Sequence, residues 1–557
     1  MGNGAAVKMR FRADVVRFWS ILAAGSNRFR PYWWGLLALL LALRLPSLAQ
    51  PAGADQALYA YVGQRVLAGE VPYRDAWDQK PPGIHVTYAA MLAVWPDHPV
   101  VAAADLVAAA LTAWLLGTAA ARLAGATGAG VFTAGLYLLL ANPAYSRLGG
   151  VRIRAQCETF IGLLISAAVA VLAVRLAGTG PIRRRDALVA GLCVGIAIVF
   201  KYNAAVYGLP LAVSLLVAHW NQHPTRRQDL VVLSRSASWM AFGAVLPLAV
   251  MLVLFGLAGA LEDLYLATVT YNVRYSGETY TSGWHMAQYL LTFPIRHARL
   301  DSLWMLGGAG TAVLLVAAWR RPALSIAPAW VAAACLAIAI NGSRGLPQYF
   351  VQAWPPLALT AGLAAAYLWP RLPTWGRVGL VAIALLAVPR VTQFDKMLEV
   401  TSVDAQRLAG WVDRRTYLSR FGRPDSGDKY SALAIEDLAS SIRAQTSSSD
   451  YVLVFGFSPW AYVGSERRSA SRFFWSRPVI IGFEEHRAGY GVQGLLDELS
   501  RRPPRLVALQ ARDWDPDGPN SLDFFRAEPR LSAWLDAHYV AAGTLHNFHL
   551  WTRTGLK

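Results

Sequence analysis

Residues 54–83 read ADQALYAYVGQRVLAGEVPYRDAWDQKPPG. Asp55 opens an amphipathic helix directly after the apolar run 31–49. The Lys80-Pro81-Pro82 triplet closes an extended stretch and starts a second short helix over 81–96. Proline pre-sets the backbone for a first helical turn and cannot continue a strand. An acid and a cation are therefore placed close to the end of an apolar run. In elementary terms Asp55 is a helix N-cap and Lys80 a headgroup anchor, or both belong to a site at the membrane face.

Outward from this stretch the chain is a series of apolar runs. They fall at 31–49, 99–121, 127–145, 158–176, 186–200, 203–219, 238–256, 303–319, 325–341, 348–369 and 376–394. A bilayer crossing needs about 20 apolar residues, so the expectation is about eleven spans. Of the 557 residues, 55% are hydrophobic and 15% charged. A soluble globular protein carries about 25% charged residues, so the expected class is a polytopic, mainly α membrane bundle.

The net charge is +18, and its location decides its meaning. Segments expected on the cytoplasmic side hold Lys8, Arg10, Arg12, Arg17, Arg28, Arg30, Arg122, Arg175, Arg183, Arg184, Arg185, Arg226, Arg227, Arg235, Arg320, Arg321, Arg371 and Arg377. Against them stand Asp14, Asp186 and Asp229. The opposite segments are near balance. This bias orients a membrane protein with its N-terminus inside and, after an odd number of spans, its C-terminal part outside. The basic residues thus set topology, and no nucleic-acid partner is expected. Residues 1–30 read as a cytoplasmic tail and not a cleavable signal. The segment 81–96 reads as a surface helix, because a span there would invert the charge pattern.

Near residue 395 the composition changes. The domain expectation is a transmembrane domain over 1–394, with a first outer loop at 50–98, and any catalytic role for it rests on the resemblance given below. A soluble extracytoplasmic α/β domain follows over 395–557. Helical stretches at 402–419, 436–445 and 522–537 alternate there with apolar runs at 451–456 and 505–509. Cys157, Cys193 and Cys335 lie in or beside apolar runs and offer neither a disulfide framework nor a zinc spacing. No Gly-rich phosphate loop and no His pair on one helix face is present. Glu484-Glu485-His486 reads as an exposed charge run.

Asp55, Tyr59 four residues on, and then G-x-x-PY-x-x-x-W-x-x-KPP through Lys80 resemble the membrane-embedded GT-C glycosyltransferases. The closest likeness is to bacterial relatives of dolichyl-phosphate-mannose protein mannosyltransferases and of lipid A aminoarabinose transferases. The resemblance extends to Phe200-Lys201 and to Gln348-Tyr349-Phe350-Val351-Gln352 before Pro355-Pro356. Many relatives carry Asp-Glu where this chain has Asp55-Gln56.

The resemblance implies inverting sugar transfer from a polyprenyl-phosphate donor to an acceptor at the outer face of a bacterial cytoplasmic membrane. The acceptor is an envelope glycan, a lipid or a protein. No cofactor is called for, and a divalent metal stays open. A glycosyl phosphate brings its own leaving group, so the chemistry needs a base for the acceptor hydroxyl and cations for the phosphate. Asp55 matches the base position, and Glu158 the second acid over the cavity; Glu158 also reads as a partner of Arg152 or Arg154. Phosphate and substrate candidates are Tyr59, Lys80, Lys201, Arg274, Arg344 and Tyr349. Lys201 interrupts an apolar run, where a cation is costly and marks either a function or snorkelling to the surface. Arg274 lies in a long loop with Tyr265, Tyr271, Tyr275, Tyr280 and Tyr289, which reads as a cover for substrate or as an interfacial aromatic belt. Arg44 reads as snorkelling or paired. A transporter or lipid flippase, and a non-catalytic envelope-assembly subunit, are the alternatives.

Overall fold

A computed structural model describes residues 30–145, 150–178, 182–220, 226–277, 279–423, 428–514 and 518–555. The N-terminal cations Lys8, Arg10, Arg12, Arg17 and Arg28 lie outside the described residues. The chain forms two compact units. Unit one takes in the residues up to Pro46, Asp105–Met251 and Ser276–Thr401; unit two takes in Ser47–Ala104, Leu252–Tyr275 and Ser402–Lys557.

Unit one is helical. Where lipid offers no hydrogen bonds, an apolar chain satisfies its own backbone as a helix. Each of the eleven apolar runs contains a helix. Among the described residues, six helical segments are long and apolar enough to cross a membrane: Tyr32–Ala49, Pro99–Ala124, Cys157–Leu176, Tyr202–Trp220, Val231–Leu257 and Pro322–Ile340. Helices Arg184–Phe200 and Trp354–Leu368 cover two further runs. Gly283–Leu300, expected as loop, is an amphipathic helix capped by Ser282, whose hydroxyl accepts from the His285 amide.

Small residues allow close helix packing here. A Cβ on Gly191 would collide with the carbonyl of Met240, and one on Gly243 with that of Leu188. The helices Arg184–Phe200 and Arg226–Leu257 thus meet backbone to backbone, as membrane helices do at small-residue faces. Charge is also buried in unit one. Asp105 accepts at 3.1 Å from both Arg44 and Arg154, and Arg44 donates to the Ala141 carbonyl at 2.8 Å. Arg44 is therefore paired, and Arg154 is held by Asp105.

Unit two combines the first loop with a five-stranded sheet. Its strands are β1 (Tyr451–Phe455), β2 (Arg468–Ser469), β3 (Leu506–Gln510), β4 (Tyr539–Leu545) and β5 (Phe548–Arg553). The order is β2-β1-β3-β5-β4. Strands β1, β2 and β3 run parallel, while β5 is antiparallel to both β3 and β4. Strands β1 and β3 are apolar and buried, as central strands covered on both faces require.

The segment around Trp77 is integral to this unit. Trp77 is fully buried against Tyr271, Phe473, Trp475 and Phe483, with ring centroids 5.0–6.2 Å apart. Its amide donates to the Arg472 carbonyl at 2.9 Å, and its carbonyl accepts from Trp475 Nε1 at 3.0 Å. The Ser469 amide donates to Tyr61 Oη at 2.9 Å. Burial pushes the Tyr61 phenol up to about 12, so it stays protonated. Helix Gly83–Val94 has 12 residues, about 18 Å of rise, which is short of a bilayer core.

Candidate active site

In unit one the sequence candidates Glu158, Lys201 and Tyr349 come together. Glu158 occupies the first turn of Cys157–Leu176. Lys201 ends helix Arg184–Phe200 in extended backbone, φ −156° and ψ 129°, before the 3-10 turn Tyr202–Tyr207. That break turns the ammonium out of the helix. Lys201 Nζ donates to Glu158 Oε1 at 2.5 Å and to Asn341 Oδ1 at 3.4 Å. The ammonium also sits 4.8 Å from the centre of the Tyr349 ring, a cation–π distance.

An ammonium has three donors, and two are used here. Among the described residues the third has no hydrogen-bond partner. Asn203 Nδ2 donates to Asn341 Oδ1 at 3.1 Å, while Asn341 Nδ2 is a buried donor with no partner among the described residues. Gln352 accepts from Tyr207 Oη at 3.0 Å and donates to the Tyr349 carbonyl at 2.9 Å, which holds the Tyr349 backbone in place. Glu158 is only 1% exposed and Lys201 8%. Such depth costs several kcal/mol per ion unless the charges are paired and hydrogen-bonded. Arg344 lies in the turn that follows Asn341, on the same connection between helices.

Unit two holds the other candidates. Gly53, not Asp55, is the N-cap of helix Ala54–Leu67; Asp55 is the second helical residue and half-buried. An acid there is favoured by the helix dipole. Tyr59 is buried edge-on to Tyr88, with centroids 5.4 Å apart. Lys80 is half-buried, and its carbonyl accepts from Tyr73 Oη at 2.7 Å. The Gln79 carbonyl accepts from Asn272 at 2.6 Å, so the residue before Lys80 is anchored to the segment that carries Arg274. Arg274 is exposed and donates to the Ile481 carbonyl at 3.2 Å.

Asp78 of the stretch 54–83 finds its partner just beyond it. Asp78 and His85 form a fully buried pair, His85 Nε2 to Asp78 Oδ2 at 2.8 Å. Asp78 Oδ1 accepts from the Gln79 amide at 2.7 Å. The pair fixes the turn that presents Lys80. An acid and a histidine flanking Lys80-Pro81-Pro82 were the available signal. Among the described residues, no three His, Cys, Asp or Glu side chains gather as metal ligands.

The fold has counterparts among solved structures. ArnT from Cupriavidus metallidurans, in a crystal structure bound to undecaprenyl phosphate, matches 95% of this chain and 98% of its own, with TM-score 0.58 and 16% identity. The chain folds like ArnT. The apo form of ArnT matches the same 95% with TM-score 0.54. The Archaeoglobus fulgidus oligosaccharyltransferase, in a complex with Zn and sulfate, matches 94% of this chain and 73% of its own, with TM-score 0.50 and 12% identity. Both proteins are GT-C glycosyltransferases, so the fold is the one the first-loop resemblance implies. No family model and no curated protein matches the sequence.

Proposed function

We propose that the protein is an inverting glycosyltransferase that takes a sugar from a polyprenyl-phosphate carrier. The observation that carries this reading is the Lys201 ammonium, held out of its helix by Glu158, with one donor still open and the Tyr349 ring beneath it. The ArnT-like fold supports it, since that relative's structure contains undecaprenyl phosphate.

The reaction needs one base and several cations. Asp55 takes the proton of the acceptor hydroxyl as its oxygen bonds to the anomeric carbon from the face opposite the phosphate. The bond from the anomeric carbon to the phosphate oxygen breaks, and the electron pair leaves with the polyprenyl phosphate. Lys201 and Arg344 supply positive charge for that leaving group, and Tyr349 flanks the substrate; Lys80, Arg274 and Tyr59 are the further candidates that the resemblance implies. Glu158 holds Lys201 in place. Charge-assisted contacts of this kind contribute about 1.5–3 kcal/mol each.

The protein sits in the bacterial cytoplasmic membrane with about eleven spans over 1–394, its N-terminus inside and 395–557 outside. The acceptor is an envelope glycan, lipid or protein. Alkaline phosphatase fused after residue 394 tests the orientation and is expected to be active. Donor-limited transfer tests the clamp: Lys201→Ala and Arg344→Ala each reduce it by about tenfold or more. Unchanged transfer in both variants overturns the phosphate assignment.

A further inference from the structure

Unit two contains a pocket that sugar transfer leaves unused. Its volume is about 300 Å³, and Arg74, Asp75, Arg472, Glu498, Arg501 and Arg502 line it. That volume is at the lower end of small-molecule sites. Four guanidinium groups face two carboxylates, so the lining is net positive.

Both carboxylates are already engaged. Asp75 pairs with Arg74 at 3.1 Å and accepts from the Val71 amide at 2.8 Å. Glu498 accepts from Ser471 Oγ at 2.5 Å and from the Arg472 amide at 3.0 Å. Burial raises its carboxyl from the ordinary value, while Ser471 and Arg472 oppose the shift.

Arg472 forms a fixed floor. Its side chain is 11% exposed and lies 3.5 Å from Asp263 and 3.6 Å from Glu498. It stacks on Tyr490 at 4.4 Å and Phe473 at 4.9 Å, and it donates to the Gly489 carbonyl. Its buried Nε makes no hydrogen bond among the described residues. Arg501 and Arg502 are exposed at the rim, and neither makes an ion pair among the described residues. Tyr451 lies 5.7 Å from the Arg502 guanidinium.

A rigid arginine floor beneath two unpaired rim arginines suits a tetrahedral oxyanion, which several guanidinium forks can approach from different sides. The adjoining tyrosines suit the polyol that carries it. We infer that this pocket binds a phosphate-bearing polyol, either a soluble sugar phosphate or a phosphoglycerol lipid headgroup. The inference is independent of the transfer reaction, because none of its residues serves there.

Calorimetry on the full chain in phosphatidylcholine nanodiscs tests it, with glucose 1-phosphate as the probe and glucose as the neutral control. Glucose 1-phosphate binds and glucose does not. The double variant Arg501→Gln, Arg502→Gln weakens binding by about tenfold or more, since each lost charged contact accounts for roughly that factor. Lys201→Ala leaves this binding unchanged, which separates the pocket from the transfer site. In phosphatidylglycerol nanodiscs, weaker binding of the probe assigns the pocket to a lipid headgroup. Equal binding assigns it to a soluble sugar phosphate. Absent binding, equal binding of glucose, or a double variant with wild-type affinity overturns the proposal. Both rim positions are exposed, so a folding defect does not confound the variant.

Discussion

Removing Glu158 alone should harm the protein in a different way from removing the whole ion pair. Glu158 is 1% exposed, and Lys201 reaches it at 2.5 Å. In Glu158→Gln the ammonium keeps its depth and loses its counter-charge. Breaking a buried pair on one side costs about 3–5 kcal/mol. In the double variant Lys201→Met, Glu158→Leu both charges are gone, and such apolar replacements of buried pairs are neutral or stabilising by about 1–4 kcal/mol. The double variant should therefore recover most or all of the stability lost in Glu158→Gln. It should not recover transfer, because the phosphate lacks its ammonium. The assay is thermal unfolding in nanodiscs beside single-turnover transfer on the same preparations. A double variant that regains both stability and transfer refutes a functional Lys201 and leaves the pair a structural device. A Glu158→Gln protein as stable as wild type refutes the pairing itself.

Other outcomes follow from both units. Trp77→Ala removes a fully buried indole from a cage of four aromatic rings. It should cost about 3–5 kcal/mol, read by hydrogen exchange at the β1 and β3 amides. Burial lifts the Asp513 carboxyl from 3.8 to about 6, against the opposing hydrogen bonds from Ser521. A carboxyl whose folded pKa is raised contributes stability below about pH 4 and loses it as pH rises through about 6. His98, lowered to about 4 by burial and Arg414, has the opposite slope, losing its contribution as pH falls from about 6.5 through 4. The test is thus the difference in melting temperature between wild type and Asp513→Asn. That difference should change between pH 4 and 6 and be flat above pH 7. A constant difference across that range removes the titration. Gly191→Leu, placed against the Met240 carbonyl, should lower stability and separate the two helices, as measured by loss of a designed cysteine crosslink between them.

What could be read from the sequence follows from the range of each interaction. The apolar runs became helices because helix formation in lipid is a local matter of backbone satisfaction. Strands β1 and β3 were readable as short buried runs. The hairpin of β4 and β5 was not, because Tyr539–Leu545 is largely exposed and carries Ala541, Ala542 and Gly543 with no apolar alternation. Gly283–Leu300 was missed for a related reason. Its inward face runs through Tyr289 and Phe293 but also carries His285 and His297, which hide the apolar period, and the tyrosines of the segment suggest a loop. Within the site, Lys201 stood out as a charge in an apolar run. Its pairing with Glu158 did not, since the two lie 43 residues apart and nearby Arg152 and Arg154 offered themselves first. The structure assigns Arg154 to Asp105 instead. Asp78 and His85 were in plain view beside Lys80, but nothing in a linear pattern marks a contact that a turn creates.

The base assignment of Asp55 is tested most directly by single-turnover transfer from a polyprenyl-phospho-sugar, wild type against Asp55→Asn. Asp55 is not the helix cap, which is Gly53. Replacing its charge by an amide costs the helix about 0.3–1 kcal/mol through the dipole. A general base contributes about 10²–10⁴-fold to rate. The account predicts that Asp55→Asn is expressed, folded and able to bind donor, with transfer slowed by about 10²-fold or more. Transfer at the wild-type rate would contradict it.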